Sequence, residues 1–85
     1  MGDTPLHRAA EMGYTHIVKL LHKKGAQINT KNSRGDTPLH EVSKRGYQNI
    51  VEYLIQNGAD LECQDGFGTT PLQVKIISNF YKFLR

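Results

Sequence analysis

The sequence predicts an all-α fold: a solenoid of stacked helix-turn-helix pairs joined by projecting turns that resemble β-hairpins. The 85-residue chain repeats itself with a period of 33 residues, and thirteen of these 33 positions are identical between residues 2–34 and 35–67. Each copy opens with a Thr-Pro dipeptide, and glycines follow each apolar segment, as is typical of short helices. A repeat of this length indicates units that stack on one another to share a core.

The period divides a single predicted domain, residues 1–85, into two full repeats and part of a third. The first repeat is residues 2–34, the second is residues 35–67, and the partial third is residues 68–85. Arrays of this kind usually need about three units and polar end caps. We therefore expect either a segment of a longer array or a small solenoid that covers its ends by self-association.

The first helix of each repeat is marked at both ends. Threonine is a good N-cap, and proline suits the first helical position, whose N–H has no partner in any case. Glycine favours the left-handed conformation that ends many helices, so Gly13 and Gly46 are predicted to end the first two of them. The predicted starts are Thr4-Pro5, Thr37-Pro38 and Thr70-Pro71.

A second helix is predicted in each full repeat, from about residue 15 to 24 and from about residue 48 to 57, with Gly25 and Gly58 as stops. Apolar residues recur there at helical spacing. The remainder of each repeat is rich in turn-forming residues and predicts a projecting finger. The apolar residues are Ile17, Val18, Leu20 and Leu21 in the first repeat, and Ile50, Val51, Tyr53, Leu54 and Ile55 in the second.

The 33-residue unit resembles the ankyrin repeat. The family pattern GxTPLHxAAxxGHxxIVxLLxxGADVN is closely matched by GDTPLHRAAEMGYTHIVKLLHKKGAQIN, and the resemblance covers essentially the whole chain. It implies an L-shaped stack, with helix pairs in one layer and fingers at right angles. It also implies that His7 and His40 hydrogen-bond to Thr4 and Thr37 of their own TPLH turns, with Gln73 as a similar donor in the third repeat.

Small residues of the family pattern are replaced in two places. Val42-Ser43 stands where the first repeat has Ala9-Ala10, and Lys75-Ile76 stands there in the third repeat. Larger side chains at close-packed positions are expected to loosen the contact between neighbouring helices. In the third repeat, Asn79 replaces the glycine that ends the helix, and the apolar residues Phe80, Phe83 and Leu84 are predicted to lack a full partner layer.

Charge alternates along the chain. The net charge of +3 combines +4 in residues 1–34, −4 in residues 35–67 and +3 in residues 68–85. A nucleic-acid binder usually has one continuous basic face, so alternation suits a protein partner better. No apolar run reaches the length of a membrane span, and the one cysteine excludes an internal disulfide. We expect no nucleic-acid or membrane partner and an intracellular protein, cytoplasmic or nuclear.

No arrangement of residues indicates an enzyme. The histidines and Cys63 lack the spacing of a zinc site, and no phosphate-binding glycine motif occurs. Asp60, Glu62 and Asp65 are interpreted as a solvated acidic turn. We expect no catalytic, cofactor-binding or metal site. The histidines considered were His7, His16, His22 and His40.

The resemblance implies a non-enzymatic module that binds a protein through its fingertips and the concave face of its first helices. Phe67 lies at a fingertip and is the predicted anchor, because aromatics and arginine dominate interface hot spots. Arg34 occupies the equivalent position one repeat earlier. The alternative is a structural segment of a longer array, or a homo-oligomeric unit that assembles through uncapped ends. The predicted binding residues are Arg8, Glu11, Met12, Ser33, Arg34, Asp36, Glu41, Lys44, Arg45, Phe67 and Thr69.

Asn29 is a candidate for modification. It lies where members of this family often present an asparagine to an asparaginyl hydroxylase, with Leu21 eight residues before it and Ile28 directly before it. Glu62 occupies the position in the second repeat, so only Asn29 qualifies. The alternative role is that of an ordinary turn-forming asparagine.

Overall fold

The computed structural model describes residues 2–74, and this part of the chain contains four α-helices followed by a further helical segment at residues 71–74. No strand is present in it, so the all-α prediction is confirmed for these residues. The helix bounds agree with the predicted ones to within about a residue, which is the usual uncertainty at helix ends. The helices are α1 (Pro5–Met12), α2 (Thr15–Lys23), α3 (Pro38–Arg45) and α4 (Gln48–Gln56).

The TPLH turns start α1 and α3 through reciprocal hydrogen bonds. The Thr4 hydroxyl accepts the N–H of His7 at 3.2 Å, and the His7 ring accepts the N–H of Thr4 at the same distance. Thr37 and His40 repeat both bonds. These bonds satisfy two backbone donors that a helix start otherwise leaves unpaired. α1 and α3 end at the left-handed glycines Gly13 and Gly46, as predicted.

The helices form two layers. α1 packs beside α3, α2 packs beside α4, and each first helix also contacts the second helix of its own repeat. The buried core lies between the layers and contains Leu6, Ala10, Val18, Leu39 and Leu54. Among the helices of residues 2–74, none is long and apolar enough to cross a membrane.

Val42 and Ser43, which were predicted to loosen the packing, are both buried. The stack therefore accommodates these larger side chains at the α1–α3 contact. The expectations for Lys75 and Ile76 fall outside the described residues. So do those for Asn79, Phe80, Phe83 and Leu84.

The fingers are tight turns closed by backbone hydrogen bonds. In the first finger the N–H of Asn32 donates to the carbonyl of Asp36 at 2.9 Å. In the second finger the backbone N–H of Asp65 donates to the carbonyl of Thr69 at the same distance. The N–H of Gly66 donates to the carbonyl of Arg34 at 2.9 Å, which joins the two fingertips. A Cβ on Gly35, whose φ is +80°, would lie 2.8 Å from the nitrogen of Gly66. Glycine is therefore required there for both conformation and space.

Candidate protein-binding surface

The two buried histidines connect each turn to the following finger. His7 Nδ1 lies 2.9 Å from the Thr4 hydroxyl, and His7 Nε2 donates to the carbonyl of Asp36 at 2.8 Å. His40 repeats both contacts, reaching the carbonyl of Thr69 at 2.9 Å. The predicted bond to threonine is confirmed. The sequence did not predict the second bond, which crosses from one repeat to the next.

Gln73 corrects one detail of the prediction. It does take the place of the histidine in the third TPL turn. However, its Oε1 accepts the N–H of Thr70 at 2.8 Å, so it acts as an acceptor in this bond and not as the predicted donor. An amide oxygen serves here because the helix start presents an unpaired N–H.

Asp36 lies at the centre of a charged cluster on the first-helix face. We use the name charged cluster for Arg34, Asp36, Glu41, Lys44, Arg45 and Asp65. Arg34 Nε lies 3.4 Å from Asp36 Oδ2, and Lys44 Nζ lies 3.2 Å from Asp36 Oδ1. Lys44 Nζ also lies 3.8 Å from Asp65 Oδ2. One ammonium group thus bridges two carboxylates that belong to successive fingers.

Glu41 extends the charged cluster along α3. Its carboxylate lies 3.2 Å from Arg34 Nη2 and 3.9 Å from Arg45 Nε. Arg45 in turn reaches back to α1, where its Nη2 lies 3.4 Å from Glu11 Oε1. The hydrogen bond to Asp36 and the charge of Glu41 raise the pKa of Arg34. The guanidinium therefore remains charged at every ordinary pH.

The side chain of Asp65 is only 3% exposed, although the residue as a whole is partly buried, and this corrects its interpretation as part of a solvated acidic turn. Its Oδ1 accepts the N–H groups of Phe67 and Thr69 at 2.9 Å each. Burial by itself raises the pKa of Asp65, but these two hydrogen bonds and the charge of Lys44 outweigh it and hold the pKa below its usual value. Asp65 aligns with Asn32, whose Oδ1 closes the first finger in the same way. That alignment was the available signal, because Asp and Asn both close turns through their side-chain oxygen.

Phe67 is at the tip of the second finger, as predicted, with 93% of its surface exposed. The hydrogen bonds to Asp65 fix the backbone beneath the ring. A shallow groove lies along the two joined fingers. It is lined by Lys31, Asn32, Ser33, Arg34, Gly35, Gln64, Asp65, Gly66 and Phe67.

The other predicted binding residues lie at different depths. Arg8, Met12 and Ser33 are exposed, and Glu11 and Thr69 are partly buried. Asp36 and Glu41 are buried, so they lie beneath the cations of the charged cluster. Arg45 pairs with Glu11 on α1, and Ser33, Arg34 and Phe67 line one groove. Besides Glu11, the predicted binding residues that ion pairs connect to one another are Arg34, Asp36, Glu41, Lys44 and Arg45.

Asn29 makes contacts between repeats. Its Oδ1 accepts the N–H of Asp60 at 2.8 Å, and its amide donates to the carbonyl of Gly58 at 3.1 Å. Both ends of the side chain thus pair with the second repeat. Asn29 therefore has a structural role in the contact between repeats, which agrees with the structural alternative left open by the sequence. Hydroxylation of Asn29 stays a prediction.

Cys63 is a free, half-buried thiol. Within residues 2–74, no group of three or more His, Cys, Asp or Glu residues could hold a metal ion.

Comparison with known proteins agrees with the capped, stacked helix pairs. The family model described as ankyrin repeats (3 copies) matches residues 1–65. A segment of 31 residues, 36% of this chain, is 58% identical to an ankyrin repeat protein of Rickettsia bellii (strain RML369-C) and covers 13% of that protein. This chain thus spans a small part of that relative. Ankyrin repeats are generally protein–protein interaction modules and are typically not enzymes. The chain belongs to the ankyrin repeat family.

Proposed function

We propose that this chain is a non-enzymatic module that captures a protein partner with its fingertips and the exposed side of α1 and α3. The observation that carries this proposal is the exposed ring of Phe67 on a fixed turn. A large aromatic side chain has few rotatable bonds, so it contributes contact area at a low entropy cost.

The surroundings of Phe67 support an anchor role. Arg34 occupies the same position one repeat earlier, and its carbonyl accepts the N–H of Gly66. Phenylalanine and arginine, two residue types enriched at protein interfaces, therefore both lie at the fingertips. Both fingers are closed by internal hydrogen bonds, so little backbone order needs to be gained on binding.

The test compares three forms of the chain in affinity capture from cell extract: the natural protein, Phe67→Ala and Gln56→Ala. Gln56 is exposed on α4, in the other helix layer, so its replacement serves as the matched control. We expect Phe67→Ala to weaken partner binding by about 1–3 kcal/mol. The control should bind like the natural protein. Equal capture by all three forms, with equal helical content, would contradict the proposal.

A second candidate function is assembly through the outer side of α2, as part of a longer array or between copies of this chain. Ile17 and Leu20 are exposed there, whereas Ile50, which aligns with Ile17 in the second repeat, is buried on α4. Exposed apolar residues of this kind favour stacking of a further helix pair.

Sedimentation over a concentration series tests assembly. We expect association that Leu20→Lys abolishes, since a lysine disfavours burial. A helical monomer at every concentration, with a melting temperature that does not depend on concentration, would contradict this function.

Hydroxylation of Asn29 remains a further proposal. Intact-mass measurement after incubation with an asparaginyl hydroxylase tests it, and a gain of one oxygen that is absent from Asn29→Ala would support it. Because the amide pairs with Gly58 and Asp60, we expect modification only when the contact between repeats opens.

A further inference from the structure

We infer that the captured partner segment is acidic: an extended peptide whose carboxylates pair with Arg34, Lys44 and Arg45, and whose apolar side chain contacts Phe67. This inference rests on the proposed function and specifies the chemistry of the partner.

The charged cluster is layered by sign. Its three cations, Arg34, Lys44 and Arg45, have 58%, 43% and 44% of their side chains exposed. Its three carboxylates are almost fully covered, with exposures of 4% for Asp36, 8% for Glu41 and 3% for Asp65. The cluster is balanced in formal charge, but an approaching partner meets the cations first.

The buried carboxylates also orient the cations. Arg34 is paired through Nε with Asp36 and through Nη2 with Glu41, and these two contacts fix the plane of its guanidinium. A planar guanidinium with an exposed edge recognises a carboxylate with two parallel hydrogen bonds. Because the side chain is already ordered, binding requires less loss of rotamer entropy.

The apolar contact is adjacent to the cations. The hydrogen bond from Gly66 to Arg34 joins the fingertips, and Arg34 and Phe67 both line the groove between the fingers. An extended segment that lies along this groove can place an apolar side chain on the Phe67 ring and acidic residues beside Arg34. Acidic residues interspersed with large apolar ones are the complementary pattern.

A nucleic acid fits this surface less well. Binding to a phosphate backbone gains its affinity from several uncompensated cations. Here each cation already lies near a carboxylate, and Glu11 adds a partly exposed negative charge beside Arg45. An acidic peptide can combine a carboxylate contact to Arg34 with an apolar contact to Phe67, so its affinity does not require an excess of positive charge over the surface.

The inference is tested by fluorescence anisotropy with synthetic probes. The first probe is a short peptide of Glu and Asp residues interspersed with Leu and Phe. The second has Gln and Asn in place of the acids, the third has Lys in place of the acids, and the fourth is single-stranded DNA. We expect the acidic peptide to bind at least about tenfold more tightly than the amide version, with an affinity that falls as salt rises.

Variants locate the binding. We expect Arg34→Gln and Phe67→Ala each to weaken the acidic peptide by about fivefold or more. Lys23→Gln removes the same charge from an exposed position on α2 and is the matched control, expected to bind like the natural protein. Arg45→Gln replaces Arg34→Gln if the latter loses helical content.

Several outcomes would overturn the inference: equal binding of the acidic and amide peptides, tighter binding of the basic peptide or the DNA, an equal loss with Lys23→Gln, or no binding of the acidic peptide. A partner captured from extract through Phe67 that the acidic peptide fails to displace would overturn the inference alone. The proposed protein-binding function would then still stand.

Discussion

The first and second repeats carry the same residues at thirteen positions, but only some of these residues are equally buried in both repeats. Leu6 and Leu39 are both buried. Ile17 is 45% exposed, whereas Ile50 is 1% exposed. Pro5 is likewise exposed, whereas Pro38 is fully buried.

The difference separates two kinds of core position. Leu6 of the first TPLH turn is as fully buried as Leu39 of the second, so burial of these leucines does not depend on a preceding helix pair. Ile50 lies on α4, which has α2 beside it, and within residues 2–74 no helix covers the corresponding side of α2. The stability of such a protein is therefore a sum of terms within repeats and terms between neighbours.

The largest expected difference is between alanine substitutions at the two isoleucines. Ile50→Ala should lower the free energy of unfolding by about 2–5 kcal/mol, because it opens a cavity in the contact between repeats. Ile17→Ala should lower it by less than about 1 kcal/mol, since the side chain is half exposed. Urea unfolding followed by circular dichroism measures both. Similar losses would refute the separation, and Ile50→Val, with an expected loss of about 0.5–1.5 kcal/mol, serves if Ile50→Ala does not fold.

Alanine substitutions at equivalent glycines of the two fingers should also differ in their cost to stability. Gly35 and Gly68 both have positive φ, but an added Cβ meets the backbone of Gly66 only at Gly35 and open space at Gly68. We expect Gly35→Ala to cost about 2–4 kcal/mol, from conformational strain plus the displaced backbone. Gly68→Ala should cost about 1–2 kcal/mol, from strain alone. Equal losses in thermal or urea unfolding would show that the contact between the fingertips adds nothing.

The two joints between TPLH turn and finger use different chemistry. In the first, the Asn32 amide donates to Asp3 Oδ1 at 2.9 Å. In the second, Asp65 replaces the asparagine and cannot donate when ionised, so Lys44 lies between Asp36 and Asp65. A lysine on α3 thus compensates for the lost amide.

Removing this lysine tests the compensation. Lys44→Met should cost about 1–2 kcal/mol, because two buried carboxylates lose a shared cation that is itself partly exposed. Adding Asp65→Asn to that variant should restore most of the loss by recreating the joint of the first repeat. A double-mutant cycle in urea measures the coupling, and independent effects of the two substitutions would contradict the compensation.

The smallest expected effect is on the dependence of stability on pH. The hydrogen bond from Asn32 lowers the pKa of Asp3. At Asp65, burial raises the pKa, but the bonds from Thr69 and Phe67 outweigh it and the net pKa is lowered. A carboxyl whose pKa is lower in the folded state contributes stability above its unfolded pKa of about 4 and loses it as the pH falls through the folded value.

Acid titration of the unfolding free energy measures this effect. We expect Asp65→Asn to flatten the loss of stability below about pH 4. An unchanged slope in Asp65→Asn would contradict the assignment.

The sequence by itself determined the helices and the family. Thr-Pro starts, glycine stops and apolar spacing act over a few residues, so they could be read without tertiary contacts. The same holds for the bond between His7 and Thr4, which are three residues apart. The fingertip position of Phe67 also followed from the repeat alone.

Only the tertiary structure decided which charges are buried and which are presented. Asp36, Glu41 and Asp65 looked like surface residues because acidic side chains are usually solvated. They are covered because α1, α3 and the two fingers converge on them, and the cations that pair with them are distant in sequence in some cases, as for Lys44, which lies 21 positions before Asp65. Arg34 pairs with Asp36 and Glu41, and Arg45 pairs with Glu11, across the boundary between repeats, so a single repeat does not specify these contacts. Their existence depends on how neighbouring repeats pack, so the acidic or basic character of the proposed binding face could be assigned only after the stack was seen.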